Sequence, residues 1–203
     1  MRATLVRLRE LMTIPNQLCL FRIIVTFIIM GLLFVPGVYA KSVCLAFFVL
    51  AAATDWWDGY LARRYGQVTP LGVLLDPIAD KVMVIGLLLA LVQLGLVRAW
   101  MVLVIAFREF LITGIRLYAA NRQIVIPAAK EGKHKTVSQM LTLTVALVLL
   151  LIREFTRGPD AAQFDVLTQD VILWCMWVTV VLTVYSGAMF FWRNRSVLRH
   201  VSR

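Results

Sequence analysis

Five carboxylates stand where an apolar run would otherwise continue: Asp55, Asp58, Asp76, Asp80 and Glu109. An unpaired charge at mid-bilayer costs about 2.5–3.5 kcal/mol on the most lenient insertion scale. Four aspartates left alone would together offset about the whole stability of a typical domain, roughly 5–15 kcal/mol. They must therefore face a wet or metal-filled cavity. Asp55, Asp58, Gly59 and Ala62 recur at i, i+3, i+4 and i+7, and Gly72, Asp76 and Asp80 are successive i+4 neighbours, so each set lies on one helix face. Folding the two helices back about residues 67–68 puts Asp55 level with Asp80 and Asp58 level with Asp76, roughly 10–15 Å below the surface at about 1.5 Å per residue. Oxygen donors at this density, with no Cys or His nearby, suit Mg²⁺ or Mn²⁺ and not zinc. Two such ions would balance four negative charges and could clamp a phosphoryl group between attacking and leaving oxygens. Gly59 and Gly72 remove side chains where a helix or ligand must come close. The competing explanation, a scatter of interhelical salt bridges, has only Arg63 and Lys81 as local cations.

The elements that must position these residues are read from hydropathy. The chain has 203 residues, 61% of them hydrophobic and 16% charged, with a formal net charge of +10 and a mean hydropathy of +0.84. One soluble core of this size cannot hide so much apolar surface, which excludes a soluble enzyme, a disordered chain and a disulfide-stapled secreted domain. The basic balance is that of a membrane protein's loops and calls for no nucleic acid. Backbone polar groups must be satisfied within lipid, so the apolar runs are helices. An all-α polytopic membrane protein is predicted, with six transmembrane helices near 16–36, 43–64, 71–95, 99–120, 136–153 and 170–192. Ahead of them, Leu5, Leu8, Leu11 and Met12 at helical spacing among Arg2, Arg7 and Arg9 predict an interfacial amphipathic helix over residues 1–12. Residues 13–203 then form a single membrane domain.

Basic residues set the orientation. Arg2, Arg7, Arg9, Arg63, Arg64, Arg122, Lys130, Lys133, Lys135, Arg193, Arg195, Arg199 and Arg203 fall on the N-terminal side, against Lys41, Arg98, Arg153 and Arg157 on the other. Both termini are expected in the cytoplasm. Arg22 interrupts the first apolar run, and the head is long and polar, so a cleaved signal peptide is not expected. Cys19, Cys44 and Cys175 lie within spans without metal-ligand spacing and read as small buried hydrophobes.

Asp55-x-x-Asp58-Gly59-x-x-Ala62-Arg63, eight residues, then Gly72-x-x-x-Asp76-x-x-x-Asp80 resembles the signature of the CDP-alcohol phosphotransferases at every fixed position. The resemblance implies a Mg²⁺- or Mn²⁺-dependent transfer, with two ions, from a CDP-linked donor to an alcohol, releasing CMP. It implies metal ligation by Asp55, Asp58, Asp76 and Asp80, with Asp80 also the base on the incoming hydroxyl. Donor binding would fall to Asn16, Asp58, Gly59, Ala62, Arg63 and Gly72. A homodimer in the bacterial inner membrane, with the active site facing the cytoplasm, is implied as well. A carboxylate within reach of a hydroxyl, and cations around a diphosphate, are what such chemistry needs.

The acceptor must be read from the rest of the chain. Arg108, Arg116, Lys133 and Lys135 suggest an alcohol carrying a phosphate, since a basic helix start favours an oxyanion. Arg108 and the adjacent Glu109 partly neutralise each other, and a plain positive-inside cluster would also account for the lysines. Arg108-Glu109-Phe110 and Gly132-Lys133-His134-Lys135-Thr136 look like the corresponding runs of the branch that forms phosphatidylglycerophosphate. That branch implies CDP-diacylglycerol as donor and glycerol 3-phosphate as acceptor. An inositol phosphate or phosphatidylglycerol acceptor stays open within the family, and a divalent-cation transporter outside it. His200, in a basic tail, is placed to meet anionic membrane lipids.

Overall fold

A computed structural model describes residues 14–65, 70–123, 131–156 and 161–195; within these, the side chains of 55–65 and 131–133 are among those not described. Among the described residues the chain forms six helices: α1 (Ile14–Leu33), α2 (Val38–Tyr65), α3 (Pro70–Gln93), α4 (Ala99–Asn121), α5 (Glu131–Phe155) and α6 (Ala161–Arg193). No strand occurs among them. This is the all-α, polytopic membrane architecture expected from hydropathy. The predicted interfacial helix over 1–12 and the turn at 67–68 lie outside the described residues.

Asn16–Leu33, His134–Phe155 and Ala161–Arg193 are long and apolar enough to cross a membrane, and Val38–Thr54 is a shorter apolar helix. The other two carry the charges of the candidate site: Asp76, Asp80 and Lys81 on α3, and Arg108, Glu109 and Arg116 on α4. α6 begins nine residues before the predicted 170, because Gln163, Asp165, Gln169 and Asp170 break the hydropathy of that stretch without breaking its helix. Its 33 residues rise about 50 Å, more than the roughly 30 Å of hydrocarbon.

The described residues fall into two compact units, one drawn from Met1–Ala90 and Leu147–Gly158, the other from Leu91–Ala146 and Pro159–Arg203. In the first, α1 packs on α2 through Cys19, Val25, Ile29 and Leu33, with Cys44, Phe48 and Ala51 also buried. The turn between them is tied down at both ends. Lys41 Nζ donates to the carbonyls of Leu33 (2.5 Å) and Val35 (3.0 Å), capping the otherwise unsatisfied end of α1. Gly37, whose φ of +116° suits glycine, donates its N–H to Glu154 Oε2 at 3.1 Å. Gly86 of α3 lies against α1: a Cβ there would sit 3.1 Å from Met30 Sδ and 3.3 Å from Thr26 Cγ2.

In the second unit α4 packs on α6. Trp100 meets Trp177 edge-on, with ring centroids 5.3 Å apart. α5 and α6 are joined by hydroxyls: Thr142 and Thr179 share a hydrogen bond of 2.9 Å, and Thr179 donates to the Ser138 carbonyl at 3.3 Å. Such bonds hold helices together where lipid offers no hydrophobic drive. α3 ends here in a glycine cap, with Leu96 N–H on Leu91 O (3.0 Å), Gly95 N–H on Val92 O (2.9 Å) and Gly95 at φ +75°.

The tight approach at Gly86 can be tested. Gly86→Leu forces Met30 and the stiff Thr26 aside and should lower stability by about 1–3 kcal/mol. Gly86→Ala should be close to neutral, because the Met30 thioether can turn away. Thermal unfolding in detergent reads both, and equal stability for the three proteins would mean that α3 does not approach α1 at this point.

Candidate active site

α1 buries Asn16, Cys19, Arg22, Val25, Thr26, Ile29 and Leu33 at spacings of mostly three or four, and exposes Ile24, Phe27 and Ile28. The pattern is the reverse of a soluble helix: lipid takes the large apolar side chains, and the polar ones turn inward. Arg22 is wholly buried, and the Thr26 hydroxyl donates to its carbonyl at 2.8 Å. Its Nη1 donates to Asp76 Oδ1 at 3.5 Å, while the Asp76 side chain keeps 55% of its surface exposed. Arg22 is therefore a partner of the acidic signature that spacing alone missed. The signal was available, since an arginine inside an apolar run requires a counter-charge.

α3 carries Gly72, Asp76 and Asp80 in its first half, one helical turn apart. Pro77 lies between the two aspartates and removes one backbone N–H from the helix. Lys81 donates to the Pro77 carbonyl at 3.1 Å. Asp55, Asp58, Gly59, Ala62 and Arg63 all lie on the last part of α2, with their side chains outside the described ones, as is the expected pairing of Asp55 with Asp80 and of Asp58 with Asp76. Among the described residues no three His, Cys, Asp or Glu side chains group closely enough to hold a metal ion. The donor type nonetheless fits a hard divalent cation: Asp76 and Asp80 offer carboxylate oxygens, and Asp76 is more than half open, with one long bond among the described residues.

A second polar centre joins α4, α5 and α6. Glu109 Oε1 accepts from both Lys135 Nζ and Arg108 Nη1, the latter at 3.2 Å. Arg108 Nη2 donates to Ser186 Oγ at 2.6 Å. A Cβ on Gly187 would lie 3.4 Å from Arg108 Cγ, so the arginine's stem packs against this part of α6. Of the residues expected to bind an acceptor phosphate, Arg108 and Lys135 are thus brought together. Arg116, eight residues along α4 and exposed, lies over the Phe190 ring at 5.7 Å. Lys133 lies on the first turn of α5, its side chain undescribed. Glu109 emerges as the shared anion of the centre and Ser186 as its neutral support; a lone serine in an apolar stretch gives no such signal.

Removing the shared anion tests this centre. Glu109→Leu leaves two buried cations without it and should lower stability by about 3–5 kcal/mol. Adding Lys135→Met should restore part of the loss, as thermal unfolding in detergent would show. An additive double variant would mean that the two residues do not meet.

Residues 12–185 match the family model described as CDP-alcohol phosphatidyltransferase. The chain is 37% identical over 198 residues to the Bacillus subtilis (strain 168) protein named CDP-diacylglycerol--glycerol-3-phosphate 3-phosphatidyltransferase, covering 92% of this chain and 97% of that one. Proteins of the same name from Sodalis glossinidius and Rickettsia typhi are 35% and 32% identical, over 91% and 88% of this chain and 96% and 94% of theirs.

Proposed function

Because the chain belongs to the CDP-alcohol phosphatidyltransferase family, we propose that it transfers the phosphatidyl group of CDP-diacylglycerol to glycerol 3-phosphate. The products are phosphatidylglycerophosphate and CMP. The acidic signature carries this reading: it runs complete from Asp55 to Asp80 on two successive helices.

Asp55, Asp58, Asp76 and Asp80 hold the metal in this reading, as Mg²⁺ or Mn²⁺. When bound, the cation supplies positive charge against the donor diphosphate. Asp80 accepts the proton of the glycerol 3-phosphate hydroxyl as its oxygen attacks the phosphorus bearing diacylglycerol. The bond from that phosphorus to the CMP oxygen breaks, and CMP leaves with the electron pair. Asn16, Gly59, Ala62, Arg63 and Gly72 bind the donor, and the buried Arg22 steadies Asp76 through their contact. Arg108, Arg116, Lys133 and Lys135 recognise the acceptor's phosphate; charged donors suit it because they form the stronger hydrogen bonds.

The diacyl tails of the donor stay in lipid while its headgroup reaches aspartates near one membrane surface. The excess of basic residues on the N-terminal side supports a cytoplasmic position for that surface and for both termini. We read residues 1–12 as an interfacial helix and 13–203 as one membrane domain; the extent of the family match supports the latter. A homodimer in contact with anionic lipids completes the reading.

One assay decides among acceptors. Purified protein given CDP-diacylglycerol and Mg²⁺ should release CMP with glycerol 3-phosphate, and not with inositol phosphate, phosphatidylglycerol or serine. Chelation should stop turnover, and Mg²⁺ or Mn²⁺ should restore it. Asp80→Asn should lower kcat by about 10²-fold or more, and Arg116→Ala should act mainly on the glycerol 3-phosphate KM. Turnover with another acceptor would reassign the substrate; full activity of Asp80→Asn would remove it as the base.

A further inference from the structure

Arg22 and Asp76 stand on helices that run in the same direction. Gly86 of α3 meets Thr26 and Met30 of α1, and the same register sets the Arg22 backbone near the level of Asp80. Helical side chains lean towards the N-terminus, so the guanidinium reaches back about one turn to Asp76. Arg22 is wholly buried, and its Nη1 donates to Asp76 Oδ1 at 3.5 Å. It makes further interactions beside this one, so the arginine is itself held. Asp76 is 55% exposed. It lies two residues, or about 200°, round α3 from Ile78, which is exposed together with Leu89 on the same side. The carboxylate thus shares the stripe of buried Ala79, Met83 and Leu87 and is turned away from the helix's open apolar side. A carboxylate has about four acceptor positions, so a bond from Arg22 and a cation can share it.

We propose that Arg22 is a positioning residue of the cation site: by fixing the Asp76 carboxylate from the α1 side, it sets the site for Mg²⁺ and against Ca²⁺. The proposal rests on the reading of Asp76 as a metal ligand. Mg²⁺ takes its oxygens at about 2.0–2.1 Å in near-ideal octahedral geometry, whereas Ca²⁺ takes them at about 2.3–2.6 Å in looser arrangements. A carboxylate held by a fixed guanidinium meets the first demand, and one free to swing suits the second better. Partners behind a ligand typically contribute about 10–100-fold to metal affinity. Arginine fits the task because its planar fork loses little further freedom in the bond, unlike an ammonium on a flexible stem. Its charge also offsets one carboxylate of the site, but lysine would offer that equally. Geometry is what separates the two.

The full-length protein in detergent, freed of metal by chelation and without substrates, is titrated with MgCl₂ or CaCl₂ while its unfolding midpoint is followed. Arg22→Lys should need about 10–100-fold more Mg²⁺ for half of the full shift, with a smaller change for Ca²⁺. With substrates present, the Mg²⁺ concentration for half-maximal CMP release should rise likewise. Asp76→Asn should weaken both cations, and adding Arg22→Lys to it should weaken neither further. A lower midpoint without metal and an unchanged Mg²⁺ requirement is what a merely structural arginine gives, and overturns the proposal. So does an equal loss for both cations, which would make Arg22 a counter-charge alone. If Arg22→Lys does not fold, Arg22→Gln, which keeps an N–H donor without the charge, takes its place with the same expectation for Mg²⁺ against Ca²⁺. If neither folds while Asp76→Asn does, the arginine is structural and the proposal falls. The two readings fail separately. Cation shifts in Asp76→Asn equal to those of wild type overturn the metal assignment of Asp76. Weakened shifts there, with wild-type values in Arg22→Lys, overturn the positioning role alone.

Discussion

Lipid cannot solvate a charge, and nearly everything distinctive in this chain answers to that fact. A buried cation must find an anion or a carbonyl, and each described one does so differently. Lys41 turns onto the open carbonyls at the end of α1, so a charge on the less basic side of the chain becomes a helix cap. Arg22, wholly buried, reaches Asp76. Arg108 and Lys135 share Glu109, with Ser186 supporting the arginine. The helices can place these groups inward because their large apolar side chains face outward, as Phe27, Leu103 and Phe107 do, where a soluble protein would bury them.

Exposure and pairing separate the charges into two kinds. Glu109 has two cationic partners and is 12% exposed, so its charge is spent inside the protein. Asp76 has one partner among the described residues, at 3.5 Å, and is 55% exposed. An exposed carboxylate in a membrane span agrees with the cation and diphosphate site proposed above.

The helices were legible because the hydropathy of spans is a bulk property: each predicted span has its helix. Misplacements arose where helix and hydrophobicity part company. Residues 161–169 are polar and helical, and Glu131–Lys135 opens α5 ahead of its apolar run. The acidic signature was legible for a local reason, since residues three and four apart share a helix face wherever the helix goes. Arg22 with Asp76, and Lys135 with Glu109, are separated by 54 and 26 positions. No periodicity links residues so far apart; charge balance announces that a partner must exist without saying which one.

The same reasoning explains why Arg108 is harder to interpret than Asp80. Adjacent opposite charges invite the reading that Arg108 and Glu109 simply cancel. The structure divides the guanidinium instead: Nη1 goes to the carboxylate, Nη2 to a hydroxyl on another helix, and Nε finds no acceptor among the described residues. Lys135 then meets the same carboxylate from a third helix, so Glu109 is shared between helices and not spent on its neighbour alone. An arginine held by partners on two helices has its ordering cost met by the fold. Neighbouring charges in sequence thus acquire different roles once the fold decides which atoms remain unsatisfied.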